Sequence, residues 1–310
     1  MTALICGSFA YDTIMVFPDR FKEHILPEKV HILNVSFMVP TMRREFGGCA
    51  GNIAYNLHLL EGDGLAMGTV GQDFYPYANW MTSCGMSQKF IKQIENEYTA
   101  QAFITTDLDD NQITAFHPGA MNSAHQNIVP TDNSITLAVI SPDGKDGMVQ
   151  HAQQCFDADI PFIFDPGQGM PMFDGDELNK FIQQAKYVCV NDYESQLLQE
   201  RTGLSIQKIA EQVDAIIVTR GGEGSIIYAQ GESIEIPAVQ ANKVLDPTGC
   251  GDAYRGGLIY GLMNEFDWQV TGRIAALMGA IKVAHDGTQN HKFTLDEFKA
   301  KYQQEFGHAF

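Results

Sequence analysis

The chain alternates short apolar runs with stretches of helical periodicity, and from residue 135 onward this alternation is regular. Apolar runs of four to eight residues indicate buried strands, and spacing of three to four residues indicates amphipathic helices. Strands that alternate with helices are typical of βαβ units and of a parallel sheet. Strands are predicted over 137–140, 162–164, 187–190 and 215–219, a hairpin over 224–236, and helices over 50–60, 74–84, 253–263, 270–284 and 295–306.

The N-terminal part has a different pattern, in which several short runs alternate apolar and polar residues. Such runs predict half-exposed strands that lie off the main sheet. A buried strand is predicted over 3–6, a Gly-rich strand over 63–69, and half-exposed strands over 12–17 and 31–39. Three successive strands are predicted over 89–92, 102–105 and 112–116. The predicted fold is α/β: one unit over 1–310 with a doubly wound, mainly parallel sheet flanked by helices, and a small β-sheet lid from about 12–40 and 90–117.

Composition narrows the possible partners. The formal net charge of the 310 residues is -18, from 20 Lys+Arg against 38 Asp+Glu, which argues against binding nucleic acid or anionic membranes. No apolar run approaches the ~20 residues of a membrane helix, and residues 1–8 resemble a first strand more than a signal peptide, so a cytoplasmic location is expected. The six cysteines are scattered without a C-x-x-C pair, which argues against a zinc site or a disulfide framework.

The stretch 246–252, Asp-Pro-Thr-Gly-Cys-Gly-Asp, runs directly into a predicted helix. The first N–H groups of a helix have no partner within it and lie at the positive end of its dipole, so they suit an anion such as phosphate. Glycines let a ligand approach this backbone closely. Asp252 has two interpretations: it is a general base for a hydroxyl that attacks the phosphate, or an ordinary acidic residue at a helix start.

A second group of candidates lies near the first strand. Asp12 follows that strand, where ligands of open α/β sheets bind, and its carboxylate can accept two hydrogen bonds from a vicinal diol. Gly48 permits close approach to the backbone, and Asn52 can both donate and accept hydrogen bonds. The alternative is an aspartate in a turn and a Gly-Gly helix start.

A third group suits a nucleotide. Asn191 and Glu194 lie one helical turn apart, which fits either Mg²⁺ held through water or a plain helix cap. Thr219 ends a predicted strand, and the backbone of the glycines after it can fold around the phosphates of a nucleotide. These glycines are Gly221, Gly222 and Gly224. Neither G-x-x-x-x-G-K-[ST] nor G-x-G-x-x-G occurs in the chain. Arg255 contacts either a phosphate or a surface acid.

The stretch 246–252 resembles the signature of the ribokinase-like (PfkB) family of sugar and nucleoside kinases. The resemblance implies the predicted fold, ATP and Mg²⁺ as cofactors, Asp252 as the base, and an anion hole formed by Gly249, Cys250 and Gly251. It also places the sugar at Asp12, Gly48 and Asn52, the metal at Asn191 and Glu194, and ATP at Asn191, Thr219, Gly221, Gly222 and Gly224. Asp246 and Thr248, with residues 287–289, resemble loops that hold K⁺ in some relatives.

Three further stretches, 7–12, 116–121 and 165–168, resemble bacterial adenosine kinases within this family. The resemblance implies a homodimer that phosphorylates the 5′-hydroxyl of a nucleoside, most simply adenosine. It places five residues near the nucleoside: Ser8, Ser36, Phe103, Phe116 and Gln168. Two alternatives stay open. The protein is a kinase for a free sugar such as ribose or fructose, in which Phe103 and Phe116 only pack, or it is an inactive ligand-binding protein on the same fold.

Overall fold

A computed structural model describes residues 1–25, 31–32, 34–109 and 111–310. Within these residues, a nine-stranded sheet has the order β13-β12-β11-β10-β9-β8-β1-β4-β5. All neighbours are parallel except β11–β12 and β12–β13, which are antiparallel. The strands are β1 (Thr2–Cys6), β4 (Asp63–Val70), β5 (Phe90–Gln93), β8 (Leu137–Ile140), β9 (Phe162–Phe164), β10 (Tyr187–Asn191), β11 (Ala215–Thr219), β12 (Ser225–Ala229) and β13 (Glu232–Ile236). The predicted doubly wound α/β fold is confirmed.

Helices cover both faces of this sheet. They are α1 (Cys49–Leu59), α2 (Tyr75–Cys84), α3 (Lys145–Asp157), α4 (Gly175–Gln184), α5 (Asp192–Thr202), α6 (Ile206–Ala210), α7 (Cys250–Met263), α8 (Trp268–Val283) and α9 (Leu295–Phe306). Alternate strand residues point to opposite faces, so Ile5 belongs to the buried cluster that contains residues of α1, α7 and α8, whereas Leu4 belongs to the cluster that contains residues of α3 and α4. Burial on both faces explains why the parallel strands are apolar throughout.

A second sheet of four strands has the order β3-β2-β6-β7. Its strands are β2 (Ala10–Val16), β3 (Thr41–Gly47), β6 (Ala100–Thr106) and β7 (Gln112–His117). Because β2 follows β1 after a short connection, this sheet lies next to the carboxyl end of β1. It is called the small sheet below.

Two predictions about the small sheet are wrong. No strand occurs in the described part of 31–39; instead, Phe37 packs its ring against Phe17 and Phe21, which accounts for the apolar alternation there. The strand at this place is β3, whose polar sequence did not predict it. The strand predicted at 89–92 is β5, which pairs with β4 at the edge of the large sheet. Parts of the predictions that fall on residues 26–30, 33 and 110 lie outside the described residues.

The part of the chain that the structure describes contains no helix with both the length and the apolar character needed to cross a membrane.

Candidate active site

The start of α7 has a backbone conformation that requires glycine. Gly249 is the residue before the helix and has φ 76°, in the left-handed region. A Cβ atom at this position would also lie 2.9 Å from Cγ2 of Thr288. The turn therefore depends on glycine both for its backbone angle and for its close approach to the loop that contains Thr288.

The backbone amides at this helix start are mostly free. Those of Gly249, Gly251 and Asp252 donate no hydrogen bond to any described residue, whereas the amide of Cys250 donates to the carbonyl of Pro247 at 3.1 Å. The predicted anion hole included the Cys250 amide, and this part of the prediction needs correction, because that N–H is already used in the turn. Free amides at the positive end of a helix dipole form a site for an anion.

The carboxylate of Asp252 lies directly beside these amides. Asn52, from α1, donates a hydrogen bond from Nδ2 to its Oδ2 at 2.8 Å. Burial raises the pKa of Asp252 to about 6, with smaller increases from Asp165 and Asp12, while the Asn52 hydrogen bond and the charge of Arg255 act to lower it. A carboxyl group with this pKa is ionised at neutral pH and accepts a proton more readily than an ordinary aspartate.

A chain of hydrogen bonds sets the orientation of Asn52. The indole N–H of Trp80 donates to Oε1 of Gln289 at 3.0 Å, so the amide nitrogen of Gln289 points the other way. That nitrogen donates to Oδ1 of Asn52 at 3.0 Å and to the hydroxyl of Tyr77 at 2.6 Å. Since an indole N–H can only donate, the direction of every bond follows, and Asn52 presents its N–H groups to Asp252. We call Trp80, Gln289 and Asn52 the amide relay.

Asp12 lies on β2 at the edge of the same cleft. Burial raises the pKa of its carboxyl group to about 6, with further increases from Asp246 and Glu45. A Cβ atom on Gly47 would lie 2.6 Å from Oδ2 of Asp12, and one on Gly48, which has φ 88°, would lie 2.5 Å from the carbonyl of Ser8. The glycine pair thus leaves room for the Asp12 carboxylate and brings α1 close to β1. The structure brings the predicted residues Asp12, Gly48 and Asn52 together with Asp252.

Ser8 has a structural role in the described residues. Its Oγ accepts a hydrogen bond from the amide of Cys49 at 3.2 Å, and its carbonyl accepts one from the amide of Ala50 at 3.0 Å. These bonds cap α1 and thereby hold Asn52 in place. Ser36 and Gln168 have exposed side chains, and neither makes a described hydrogen bond to the residues around Asp252.

The two predicted aromatic residues lie on opposite faces of the small sheet. Asp12 pairs with Ala102 across β2 and β6, and Ala102 pairs with Phe116 across β6 and β7. Paired residues share a face, so Phe116 is on the face of Asp12, about 10 Å away at two strand spacings. Phe103 pairs with Thr13 and therefore points to the other face. The resemblance places both residues near the nucleoside, but two rings on opposite faces of the sheet of one chain cannot contact the same ligand.

The predicted nucleotide residues meet at the ends of β10 and β11. Asn191 and Thr219 are partners in the parallel register. Gly221 and Gly222 have open space above their backbone. At position 224, glycine is required by packing, because a Cβ atom there would lie 2.1 Å from the carbonyl of Ile236. The expectation that Gly224 serves phosphate binding is therefore not supported by its surroundings.

Asn191 and Glu194 form a capping box at the start of α5. Oδ1 of Asn191 accepts from the Glu194 amide at 2.7 Å, and Oε2 of Glu194 accepts from the Asn191 amide at 2.9 Å. Burial raises the pKa of Glu194. Among the described residues, no group of three or more His, Cys, Asp or Glu side chains is placed to hold a metal ion. One buried carboxylate with a second oxygen to spare fits Mg²⁺ that keeps its waters and takes its other ligands from phosphates.

Arg255 neither faces solvent nor has a surface partner. Its guanidinium makes two hydrogen bonds of 2.6 Å to Asp165, which follows β9, and a third of 3.2 Å to the carbonyl of Gly251. Both side chains of the pair are buried. The pair ties the first turn of α7 to the end of β9, and this answers the question that the sequence left open.

The loops predicted to hold K⁺ do come together. The two carboxylate oxygens of Asp246 accept hydrogen bonds from the amides of Thr248 and Gly287, each at 2.9 Å. However, the ammonium group of Lys282 lies against these loops, 2.7 Å from the carbonyl of Asp246. The residues present therefore do not fit a potassium ion at this place.

Comparison with known proteins identifies the family that this chain matches. Residues 9–294 match the pfkB family carbohydrate kinase pattern. A nucleoside kinase from Methanocaldococcus jannaschii is 30% identical over 272 residues, which are 87% of this chain and 89% of that protein. Burkholderia thailandensis nucleoside kinase in complex with inosine has a TM-score of 0.91 and 52% identity and covers 100% of both chains. The same enzyme in complex with ADP-inosine has a TM-score of 0.88 and 54% identity, covering 99% of this chain and 97% of that one.

Proposed function

The chain belongs to the PfkB family of carbohydrate kinases, and we propose that it transfers the terminal phosphoryl group of ATP to the 5′-hydroxyl of a purine ribonucleoside. Membership of the family makes it a phosphotransferase that acts on an alcohol group. The observation that carries the proposal is the Asp252 carboxylate, oriented by Asn52 and flanked by free backbone amides. These are a base and an anion site on the same helical turn.

The residues act on the acceptor as follows. Asp12 and Asn52 bind the ribose hydroxyls and bring the 5′-hydroxyl next to Asp252. A bond forms between this oxygen and the γ-phosphorus, the bond from the γ-phosphorus to ADP breaks, and Asp252 takes the hydroxyl proton. The amides of Gly249, Gly251 and Asp252 stabilise the negative charge on the transferred group, in a place where they need no reorganisation.

On the nucleotide side, ATP binds across the ends of β10 and β11, with its phosphates at Thr219 and the open turn of Gly221 and Gly222. Asn191 and Glu194 would hold Mg²⁺ through water, and the bound ion would neutralise charge on the phosphates. Turnover that survives complete chelation of divalent cations would contradict this part of the proposal.

The nucleoside assignment rests on the small sheet and on the relatives. Phe116 lies on the Asp12 face at about 10 Å, a distance suited to a base whose ribose is bound at Asp12. A relative with 52% identity binds inosine. Adenosine, which the sequence resemblance implies, and inosine are therefore the two first candidates. The small sheet acts as a lid that excludes water from the phosphoryl group.

The other face of the small sheet supports a homodimer. It carries exposed apolar side chains, namely Met42, Phe103 and Ile113, which a second copy of the chain would cover. Sedimentation of a monomer at concentrations well above those of the assay would contradict the dimer.

Replacement of Asp252 by Asn tests the proposed base. The variant keeps the shape of the side chain but cannot accept the proton, so kcat falls by about 10²–10⁴ while nucleoside affinity changes little. Asp267→Asn is the matched control, because Asp267 begins α8 and accepts a hydrogen bond from the Val270 amide. If Asp252 were only an acidic residue at a helix start, both variants would affect stability alone and turnover would stay near normal.

A further inference from the structure

Lys282 is a fully buried lysine in the last turn of α8. Its ammonium nitrogen lies 2.7 Å from the carbonyl oxygen of Asp246 and 3.4 Å from that of His285. It is also 4.0 Å from Oδ1 of Asp246. A charged lysine is seldom buried completely unless it has partners, and here its partners are oxygen atoms of Asp246 and His285.

These oxygen atoms belong to the two loops that frame the start of α7. Asp246 links both loops, since its carboxylate accepts from the amides of Thr248 and Gly287. Burial acts to raise the pKa of Asp246, but these hydrogen bonds and the charge of Lys282 lower it overall. The lysine therefore compensates a buried carboxylate that holds the Gly249 turn in position.

Carbonyl and carboxylate oxygens arranged in this way would also suit a monovalent metal cation. A second unit charge a few ångströms from the ammonium would be strongly repelled, because the surroundings are buried and screen charge poorly. Only one of the two cations fits.

We propose that Lys282 is a positioning residue that replaces a monovalent cation: its ammonium group cross-links the 246–248 and 285–287 segments and holds the amides of the α7 start in place. The enzyme is therefore independent of K⁺. The kinetic part of this inference rests on the proposed phosphoryl transfer, whereas the cation-binding part does not.

Burial lowers the pKa of Lys282, while Asp246 is the largest of the opposing influences, followed by Cys250, Asp286 and Asp252. The carboxylates on this list include the base itself. The ammonium therefore lies close enough to Asp252 to interact with its carboxylate electrostatically.

The test compares the wild type with Lys282→Met, which keeps the side chain out to the Cε position and removes the ammonium group. Tm and kcat/KM are measured in KCl, NaCl and choline chloride at constant ionic strength. Lys299→Met, an exposed lysine on α9, is the control. For the wild type and the control, we expect the same Tm and the same rate in all three salts.

For Lys282→Met in choline chloride, we expect a lower Tm and a loss of at least about tenfold in kcat/KM, as for removal of a preorganised electrostatic contact. K⁺ should then bind at the position that the ammonium group leaves beside the carbonyls of Asp246 and His285. Its binding should raise Tm by a few degrees and restore most of kcat/KM, and both effects should saturate with K⁺ concentration. Choline is too large for this position and should restore neither Tm nor kcat/KM.

Three results would overturn the inference: activation of the wild type by K⁺ over Na⁺, a Lys282→Met variant with normal rate and Tm in choline, or a folded variant whose losses no small cation reverses. If Lys282→Met fails to fold, Lys282→Gln and the wild-type salt comparison decide the matter. If the wild type phosphorylates no nucleoside, the proposed function is wrong. The Tm measurements would still test whether Lys282 replaces a monovalent cation.

Discussion

The orientation and the raised pKa of the Asp252 carboxylate depend on residues that are distant in the sequence. The local motif identifies the residue and the helix start, and both follow from the spacing of glycines in 246–252. Its hydrogen-bond partner Asn52 is 200 residues away, and the pKa of about 6 arises from burial in a cleft that forms only when the chain has folded. Neither fact leaves a sign in the local pattern.

The pH dependence of kcat/KM follows from the pKa values of the two cleft carboxylates. Asp252 and Asp12 both have raised pKa values of about 6. A raised carboxyl pKa means that the ionised form is lost as the pH falls through 6, so kcat/KM should be constant above about 7. Below about pH 6, it should fall by more than about tenfold per pH unit, because two groups must be ionised.

Asp12→Asn provides the control for this profile. It removes one titrating group, so the acid limb should fall by about tenfold per unit, even though the nucleoside KM is higher. A flat profile between pH 5 and 8 in the wild type would contradict the raised pKa values of about 6 for carboxylates that act in their ionised form.

The amide relay predicts that Gln289 controls Asp252, the proposed base, without touching it. Gln289→Met has a similar volume but cannot donate to Asn52, whose amide is then free to turn its oxygen toward Asp252. The pKa of Asp252 should rise, and kcat/KM should fall by about fivefold to a hundredfold, the range for an unsatisfied buried polar group.

The midpoint of the pH profile is the informative measurement for this variant, since a purely structural defect would lower the rate without moving the midpoint. Trp80→Phe should give a smaller shift in the same direction, because it removes only the donor that orients Gln289. An unchanged midpoint in Gln289→Met would remove the relay from the account.

At the level of elements, periodicity predicts best where an element is buried. The parallel strands and the helices of the large sheet follow directly from apolar runs and helical spacing. β3 was missed because its residues, Thr41–Gly47, are mostly polar and are held by pairing with β2 instead of by burial. Which face of the small sheet a residue occupies depends on register, and register is a property of the assembled sheet.

Register gives a sharp prediction for the small sheet. Phe116→Ala should raise KM for the nucleoside by about tenfold to a hundredfold, because a ring stacked on a base contributes roughly 1–3 kcal/mol. Phe103→Ala should leave that KM nearly unchanged, because Phe103 lies on the opposite face. KM for ATP should change little in both variants.

The two phenylalanines form a matched pair, since both are exposed in the single chain and lie on neighbouring strands. Equal effects of the two substitutions on nucleoside KM would show that face does not matter. An equal loss of activity toward a nucleoside and a free sugar in Phe116→Ala would show that the ring only packs.

At the level of the whole molecule, the site forms where the large sheet and the small sheet meet. Its parts come from β2, α1, α7 and the loop at 285–291, which are far apart in the chain. Motifs indicate most of these parts separately. No spacing in the sequence marks Trp80, Tyr77 or the pairing of Asp165 with Arg255, because their partners are distant in the chain. With a net charge of -18, the proposed binding of ATP would depend on local dipoles and on Mg²⁺.

The most direct test is ADP formation by the wild type with ATP, Mg²⁺ and each of six acceptors: adenosine, inosine, guanosine, cytidine, ribose and fructose. The account predicts that a purine nucleoside gives a kcat/KM at least about tenfold above that of ribose, since base stacking adds to the contacts of the sugar, and that the product is the 5′-monophosphate. A higher kcat/KM for ribose or fructose than for every nucleoside would contradict it and identify a sugar kinase. Ligand-dependent increases in Tm without ADP formation from any acceptor would contradict it as well and indicate an inactive binding protein.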